Sequence, residues 1–389
     1  MNTNAIPAPK LWSRPFIFIM FANAIMFMAF EMLLPTLPLF VSHIGGNVSL
    51  IGIVTGIFMF SAILIRPFTA ALAARMNKKY LLLIGVAICA VMTGAYYLAP
   101  NIGTILVFRV LHGLGFGLAT TFFATIVTEN IPMNRMGEGM GYFGVGETVA
   151  ISMGPLMGTS IQLKFGYEGV FWGGMTIILL ALLLIVFVSR KPQKVHCDNP
   201  SHVPVKLLEK KVLFPSLLTM LVGVAAGSIM SFVALYALEK SISTVAWFFF
   251  VVAVASFAVR LVSGRLFDRH GPGVVLIPSA LLMMAGLWVL TIAGTNMVFL
   301  IAAALYGCGF GAIFPCLQTW CVNLVEEHER EHAMASFFNF FDLGIGGGAM
   351  ILGIIASVFS YQMLYDIAIV VVGLSLVLYL AYATKKRHL

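Results

Sequence analysis

Four ionisable side chains interrupt stretches that are otherwise apolar: Glu31 in FMAFEMLL, Arg109 in LVFRVLHG, Glu147 in VGETVA and Asp342 in NFFDLG. Two more, Arg66 and Arg260, stand near the ends of comparable runs. A charge placed in hydrocarbon costs roughly 2.5–3.5 kcal/mol on insertion scales, so such residues persist where they face a polar cavity or one another. The chemistry open to them is proton carriage and recognition of a charged ligand. Burial favours the neutral form of a carboxyl group and a nearby guanidinium favours its anion, so a ligand that disturbs such a pair moves a proton. Asn339 lies three residues before Asp342 on the same helical face. His112 follows Arg109 at the same spacing, and histidine titrates near neutrality. Asn23, Tyr236, Trp247, Tyr306, Gln318 and Trp320 complete the polar and aromatic candidates, with core packing or interfacial anchoring as the alternative for the aromatics.

Other chemistries find no footing. No CxxC and no His/Cys cluster has metal-site spacing, so no metal is expected. The runs GLGFG (113–117) and GIGGG (344–348) sit inside apolar stretches rather than after a strand, which makes them poor phosphate loops. Close helix packing is the better reading of Gly113, Gly115, Gly117, Gly346, Gly347 and Gly348. No enzyme and no cofactor are expected; a proton gradient is the expected energy source.

The elements that position these residues follow from composition. Of 389 residues, 60% are hydrophobic and 10% are charged, against about 25% charged in a soluble domain. Apolar runs of about 20 residues, each long enough to cross a bilayer, recur throughout. Backbone groups in lipid must be satisfied within the protein, and runs this continuous do so as helices. Twelve are expected, at 15–42, 49–74, 80–99, 102–127, 137–162, 168–189, 212–238, 243–267, 274–294, 297–325, 333–356 and 361–383. On these bounds Glu31 and Arg109 lie at overlapping depths in the first and fourth helices, so a Glu31–Arg109 pair is expected.

Charge sets the topology. Of 23 Lys and Arg residues, only Lys164 and Lys240 fall in connections on the side opposite the termini, and Arg66, Arg109 and Arg260 fall within helices. That bias places both termini in the cytoplasm of a multi-pass cell-membrane protein. The net charge of +8 is thereby a signal of topology and of anionic inner-leaflet lipid, not of nucleic acid. The first apolar run is too long for a cleaved leader. Cys89, Cys308, Cys316 and Cys321 fall in helices and Cys197 in a connection, so no disulfides are expected. Glu326, Glu327, Glu329 and Glu331 read as a solvated charge run.

The chain repeats. Arg66 and Arg260 are 194 positions apart, as are LHGLGFG (111–117) and LYGCGFG (305–311); Glu147 and Asp342 are 195 apart, as are Gly158 and Gly353. The basic stretch 190–211 divides a first six-helix bundle (1–189) from a second (212–389) and reads as a flexible linker. Such repeats form binding sites between their halves near the membrane midplane.

With these features the chain resembles the major facilitator superfamily over essentially its whole length. The family's loop between helices 2 and 3 reads Gly-x-Leu-Ala-Asp-Arg-x-Gly-Arg-Lys. Here it is Ala70 to Lys79, with Arg75 kept, Ala74 in place of the aspartate and both glycines lost. The second-half copy, Gly264-Arg265-Leu266-Phe267-Asp268-Arg269-His270-Gly271, keeps the pattern. The resemblance implies a conformational latch drawn from Arg66, Arg75, Arg260, Arg265, Asp268 and Arg269. It leans on Asp268 and is weakened in the first half. Arg109-x-x-x-Gly113-x-Gly115-x-Gly117 matches a helix-4 motif. Gly154-Pro155-x-x-Gly158 matches part of a helix-5 motif associated with proton-exchanging exporters, with Ala150 and Thr159 replacing its outer glycines.

The expected function is therefore proton-coupled secondary transport by alternating access, with a small-molecule substrate and the protein as a monomer. Export of a drug or a secreted metabolite such as a metallophore leads. Proton-coupled import of a sugar or carboxylate is the alternative on the same fold, and a non-transporting sensor or scaffold is a third class.

Overall fold

The computed structural model describes residues 11–45, 48–188, 208–242 and 244–387. Cys197 and most of the expected linker lie outside the described residues. The helices are α1 (Arg14–His43), α2 (Val48–Ile65), α3 (Thr69–Arg75), α4 (Lys78–Ala95), α5 (Ile102–Glu129), α6 (Met136–Val186), α7 (Leu213–Glu239), α8 (Val245–His270), α9 (Pro272–Thr291), α10 (Asn296–Asn323), α11 (Arg330–Val358) and α12 (Tyr361–Arg387). The protein is an all-α membrane protein of twelve crossings in two pseudo-symmetric six-helix bundles.

Two crossings are built differently from a plain helix. The second is α2 and α3 together, interrupted by a tight turn at Arg66–Phe68. Pro67 has no N–H to give the Ile63 carbonyl, and in the turn the Arg66 carbonyl accepts from the Thr69 backbone N–H and, at 2.7 Å, from the Thr69 hydroxyl. Residues Met136–Val186 are helical throughout except at Gly166, with φ of 69° and ψ of −171°. An unbroken helix of this length would run about 76 Å, more than twice the hydrocarbon thickness. Gly166, free of a Cβ, turns the chain back. The arm before it packs on α1, where Gly146 meets Ala24 and Gly158 meets the Met32 backbone. The arm after it packs on α4, where Gly174 meets Thr93. These arms are the expected fifth and sixth helices, so eleven apolar segments among the described residues make twelve crossings.

The repeat seen in sequence persists in the packing. A Cβ on Gly117 would stand 2.5 Å from the Ala62 carbonyl, and one on Gly311 would stand 2.5 Å from the Ser256 Cα. Gly115 meets the Gly85 carbonyl at 2.9 Å, and Gly309 the Ser279 carbonyl at 2.7 Å. Every one of these four residues has its partner 194 positions on. The helices approach backbone to backbone because no side chain intervenes. Helix starts repeat as well: Asn101 caps α5 through Thr104 N, and Thr295 caps α10 through Val298 N.

The glycines of α11 divide. Gly344 lies against the Met220 carbonyl and Gly348 against Val224, but a Cβ on Gly346 or Gly347 would meet nothing within 4 Å. Packing does not account for those two.

Candidate functional site

Helix direction alternates, so α1 begins and α12 ends on one face, here called the terminal face. Among the described residues, the hydrogen bonds and ion pairs between the halves lie toward it, in two layers.

The outer layer holds Asp268 and Arg265, two of the residues expected in a latch. Asp268, near the end of α8, accepts from the Gly137 and Glu138 backbone N–H groups at 2.7 and 3.0 Å. These are unpaired donors of the first turn of α6, where a carboxylate is also favoured by the helix dipole. Gly264 and Gly137 bring the two backbones into contact. Glu138 is bonded by Arg135 at 2.7 Å and by Arg265 of the other half at 2.9 Å. Arg75 and Arg269, expected in the latch, are exposed.

The first half is not left open by Ala74. Lys78 pairs with Glu129 of its own half and with Glu331 of α11, while Arg330 donates to the Thr128 carbonyl at 3.1 Å. Two corrections follow. An ion pair between the halves is supplied on this side by a lysine four residues beyond the missing aspartate. Glu331 is no solvated residue; it is 2% exposed. Glu329 likewise pairs with Lys211, at 2.6 Å.

The inner layer lies about 12–17 Å deeper by helical rise. Arg66 Nη1 lies 2.6 Å from Asp342 Oδ2 and 3.3 Å from Asn339 Oδ1. All three are buried, and the Arg66 guanidinium lies over the Phe338 ring. The repeat-equivalent residues face each other from the exchanged halves. Arg260 lies against Gly144, which stands 195 positions before Asn339, and acts electrostatically on Glu147. Arg260 Nε donates to the Gly311 carbonyl at 3.0 Å, and its Nη1 is buried without an acceptor. Glu147 takes its amide from α1, where Asn23 donates at 3.0 Å. Arg66 and Arg260 therefore belong with the inner-layer carboxylates, not with the outer layer. Spacing along one helix had no means of revealing partners on another.

Glu31 and Arg109 do not form the expected pair. Glu31 is buried on the seam of α1 and α6, where Gly154 meets its Cβ, and the charged group acting on it is Glu147. The motif Gly154-Pro155-x-x-Gly158 thus lets α1 approach closely at Glu31 and Met32. Arg109 points toward α2: its Nε donates to the Val54 carbonyl at 2.9 Å and its guanidinium lies 4.4 Å from the Phe58 ring centroid. His112 Nδ1 shares a hydrogen bond of 2.9 Å with the Tyr96 hydroxyl beside it. Similar depth is a weak predictor of contact because it leaves helix rotation undetermined.

The remaining candidates lie apart from these layers. Tyr236 donates to the Thr291 carbonyl at 3.1 Å, packed on Tyr365. Tyr306 stacks on Phe310 beside Gly286. Gln318 reaches the Met334 sulfur at 4.0 Å. Trp320 is enclosed by Phe214, Tyr379 and Tyr382, and Trp247 is exposed at the start of α8. Among the described residues no cluster of His, Cys, Asp or Glu has metal-site geometry.

The sequence matches the model of the Major Facilitator Superfamily over residues 19–349 and 215–389. It is 32% identical over 334 residues to the "Multidrug resistance protein MdtG" of Escherichia coli, covering 81% of each chain. It is 30% identical over 357 residues to the protein of the same name from Citrobacter koseri, covering 87% of each. In fold it is similar to the human organic anion transporter MFSD10 (TETRAN), with TM-score 0.80, 15% identity and coverage of 94% and 98%. It is also similar to a Major Facilitator Superfamily transporter, FucP, in the outward conformation, with TM-score 0.73, 17% identity and coverage of 94% and 99%.

Proposed function

This chain belongs to the Major Facilitator Superfamily and is a multi-pass membrane transporter, not an enzyme; we propose that it exports small drug-like organic molecules in exchange for protons. The observation that carries the reading is the one-sided closure. The outer-layer contacts and the buried Arg66–Asp342 pair join the halves toward the terminal face, and among the described residues no hydrogen bond or ion pair joins them toward the other face. This is the arrangement of an outward-facing transporter with the terminal face in the cytoplasm. Lys and Arg gather on that face, which supports the orientation. The relatives named for multidrug resistance and the Gly154-Pro155 motif support export. The buried Glu31 and Asp342 and the half-buried Glu147 supply carboxyl groups that can hold protons within the membrane.

The test is flux. Purified protein in liposomes of known orientation is given a fluorescent drug-like dye and an imposed pH gradient. Dye should move against its gradient as protons move the other way, and collapse of the pH gradient should stop it. Dye moving with the protons would replace export by import. Absence of flux across a broad substrate panel would remove the transport reading.

A further inference from the structure

Beside the Asp268 contact, the seam between α6 and α8 encloses a small cavity walled by both halves. Gly137 and Gly141 line it from the first half, and Ser263, Phe267, Cys316 and Thr319 from the second. It has room for about one water molecule. Thr319 is 1% exposed, and its hydroxyl has no hydrogen-bond partner among the described residues. The buried Ser263 hydroxyl has none among them either. Cys316 is engaged, its Sγ lying 3.7 Å from the Pro272 carbonyl. The other copy of the repeat is built differently. Ser263 and Thr319 correspond to Thr69 and Thr125, 194 positions earlier. Those hydroxyls turn back onto carbonyls one turn before them, Thr69 onto Arg66 at 2.7 Å and Thr125 onto Thr121 at 2.9 Å. The places of Gly137 and Gly141 are taken by His332 and Ser336, 195 positions on, and the place of Cys316 by Phe122, all three buried. One seam is thus filled by side chains with its hydroxyls satisfied. The other is lined by glycine, and its two hydroxyls forgo the bond their twins make. A buried hydroxyl left unpaired is costly, so hydroxyls that pass over their own backbone point to a partner in the cavity.

We propose that this cavity is a binding site for one ordered water molecule, held by the Thr319 and Ser263 hydroxyls and enclosed by α6 while the terminal face is closed. Two partners meet the minimum that holds a buried water, and each hydroxyl can donate to the water oxygen or accept from its O–H. The water stands where the twin seam has side chains. It lets Gly137 and Gly264 bring the backbones of the two halves together without burying an unpaired hydroxyl. Because Gly137 and Gly141 form one wall, the site is complete only while the halves meet here. Opening the terminal face removes that wall and returns the water to solvent, so the two hydroxyls are hydrated in either state.

The test is hydroxyl-radical footprinting of the full-length protein by a short X-ray pulse in isotope-labelled water. Radiolysis of a bound water hydroxylates the side chains beside it, even where radicals from bulk solvent do not reach. Phe267 lines the cavity and is 5% exposed; Phe122, at the twin position of Cys316, is 0% exposed and is a reference of the same chemistry. Phe267 should be hydroxylated several-fold faster than Phe122. Thr319→Val combined with Ser263→Ala should bring Phe267 down to the rate of Phe122, and Thr319→Ser should keep the faster rate. Cys316→Val, which fills the space and leaves both hydroxyls in place, should lower the rate as well, so the outcome does not hang on one variant's folding. The site is overturned if Phe267 in the wild type reacts no faster than Phe122. It is overturned equally if the rate is unchanged in both the double variant and Cys316→Val, which would trace the label to bulk water entering an open face.

Discussion

Arg66 and Asp342 stand 276 residues apart in the chain and 2.6 Å apart in space, bridging the two halves of the repeat in the interior of the protein. Removing one member of a buried ion pair leaves the other charge uncompensated, at a cost of roughly 3–5 kcal/mol. Arg66→Ala and Asp342→Asn should therefore each lower the melting temperature in detergent markedly. The double variant Arg66→Met/Asp342→Leu should recover much of the loss. Additive losses in the double variant would show that the pair is not coupled.

Asp268 satisfies two N–H groups at the start of α6. Asp268→Asn keeps a side-chain acceptor but removes the charge that complements the helix N-terminus. The expected loss of latch strength is about 1 kcal/mol. Single cysteines on the terminal face should label several-fold faster than in the parent protein. Equal labelling rates would mean that Asp268 does not hold the face shut.

Lys78 bridges Glu129 and the buried Glu331. Lys78→Met should open the terminal face by stranding a carboxylate in the interface. Adding Glu331→Gln should restore closure in part, because the unpaired charge is then gone. The same labelling assay decides it; no rescue in the double variant would argue that Lys78 acts through Glu129 alone.

Gly346 and Gly347 have room for a side chain and no packing reason to lack one. Alanine at either position should stabilise α11 by up to about 1 kcal/mol through helix propensity. If the flexibility of α11 serves the rocking of the halves, the stabilised Gly346→Ala protein should turn over more slowly at unchanged substrate affinity. A higher melting temperature with unchanged turnover would remove that role.

Tyr236 serves packing. Tyr236→Phe removes one hydrogen bond, to the Thr291 carbonyl, at a cost of about 1 kcal/mol. Transport rate and substrate preference should stay at wild-type values. A changed preference would return Tyr236 to the substrate path.

Much of the architecture was legible in one dimension. Helix number and the repeat offset follow from long apolar runs and recurring motifs, which are local properties of the chain. Asp268 as a contact residue was legible for the same reason, since its motif is contiguous. The Lys78–Glu331 pair near Ala74 was not legible, because the two residues meet from segments some 250 positions apart in the chain.

What the sequence determined by itself was the cost: Glu31, Arg66, Arg109, Glu147, Arg260 and Asp342 cannot stand in an apolar interior without partners. Which partners they take was decided only by the tertiary structure. Helix rotation turned Arg109 onto Val54 and Phe58, away from Glu31. Close approach of α1 to α6 gave Glu147 its amide from Asn23. The physical reason is that burial energy depends on composition along the chain, whereas a hydrogen bond depends on two atoms meeting within about 3 Å, and that distance is fixed by how whole helices pack.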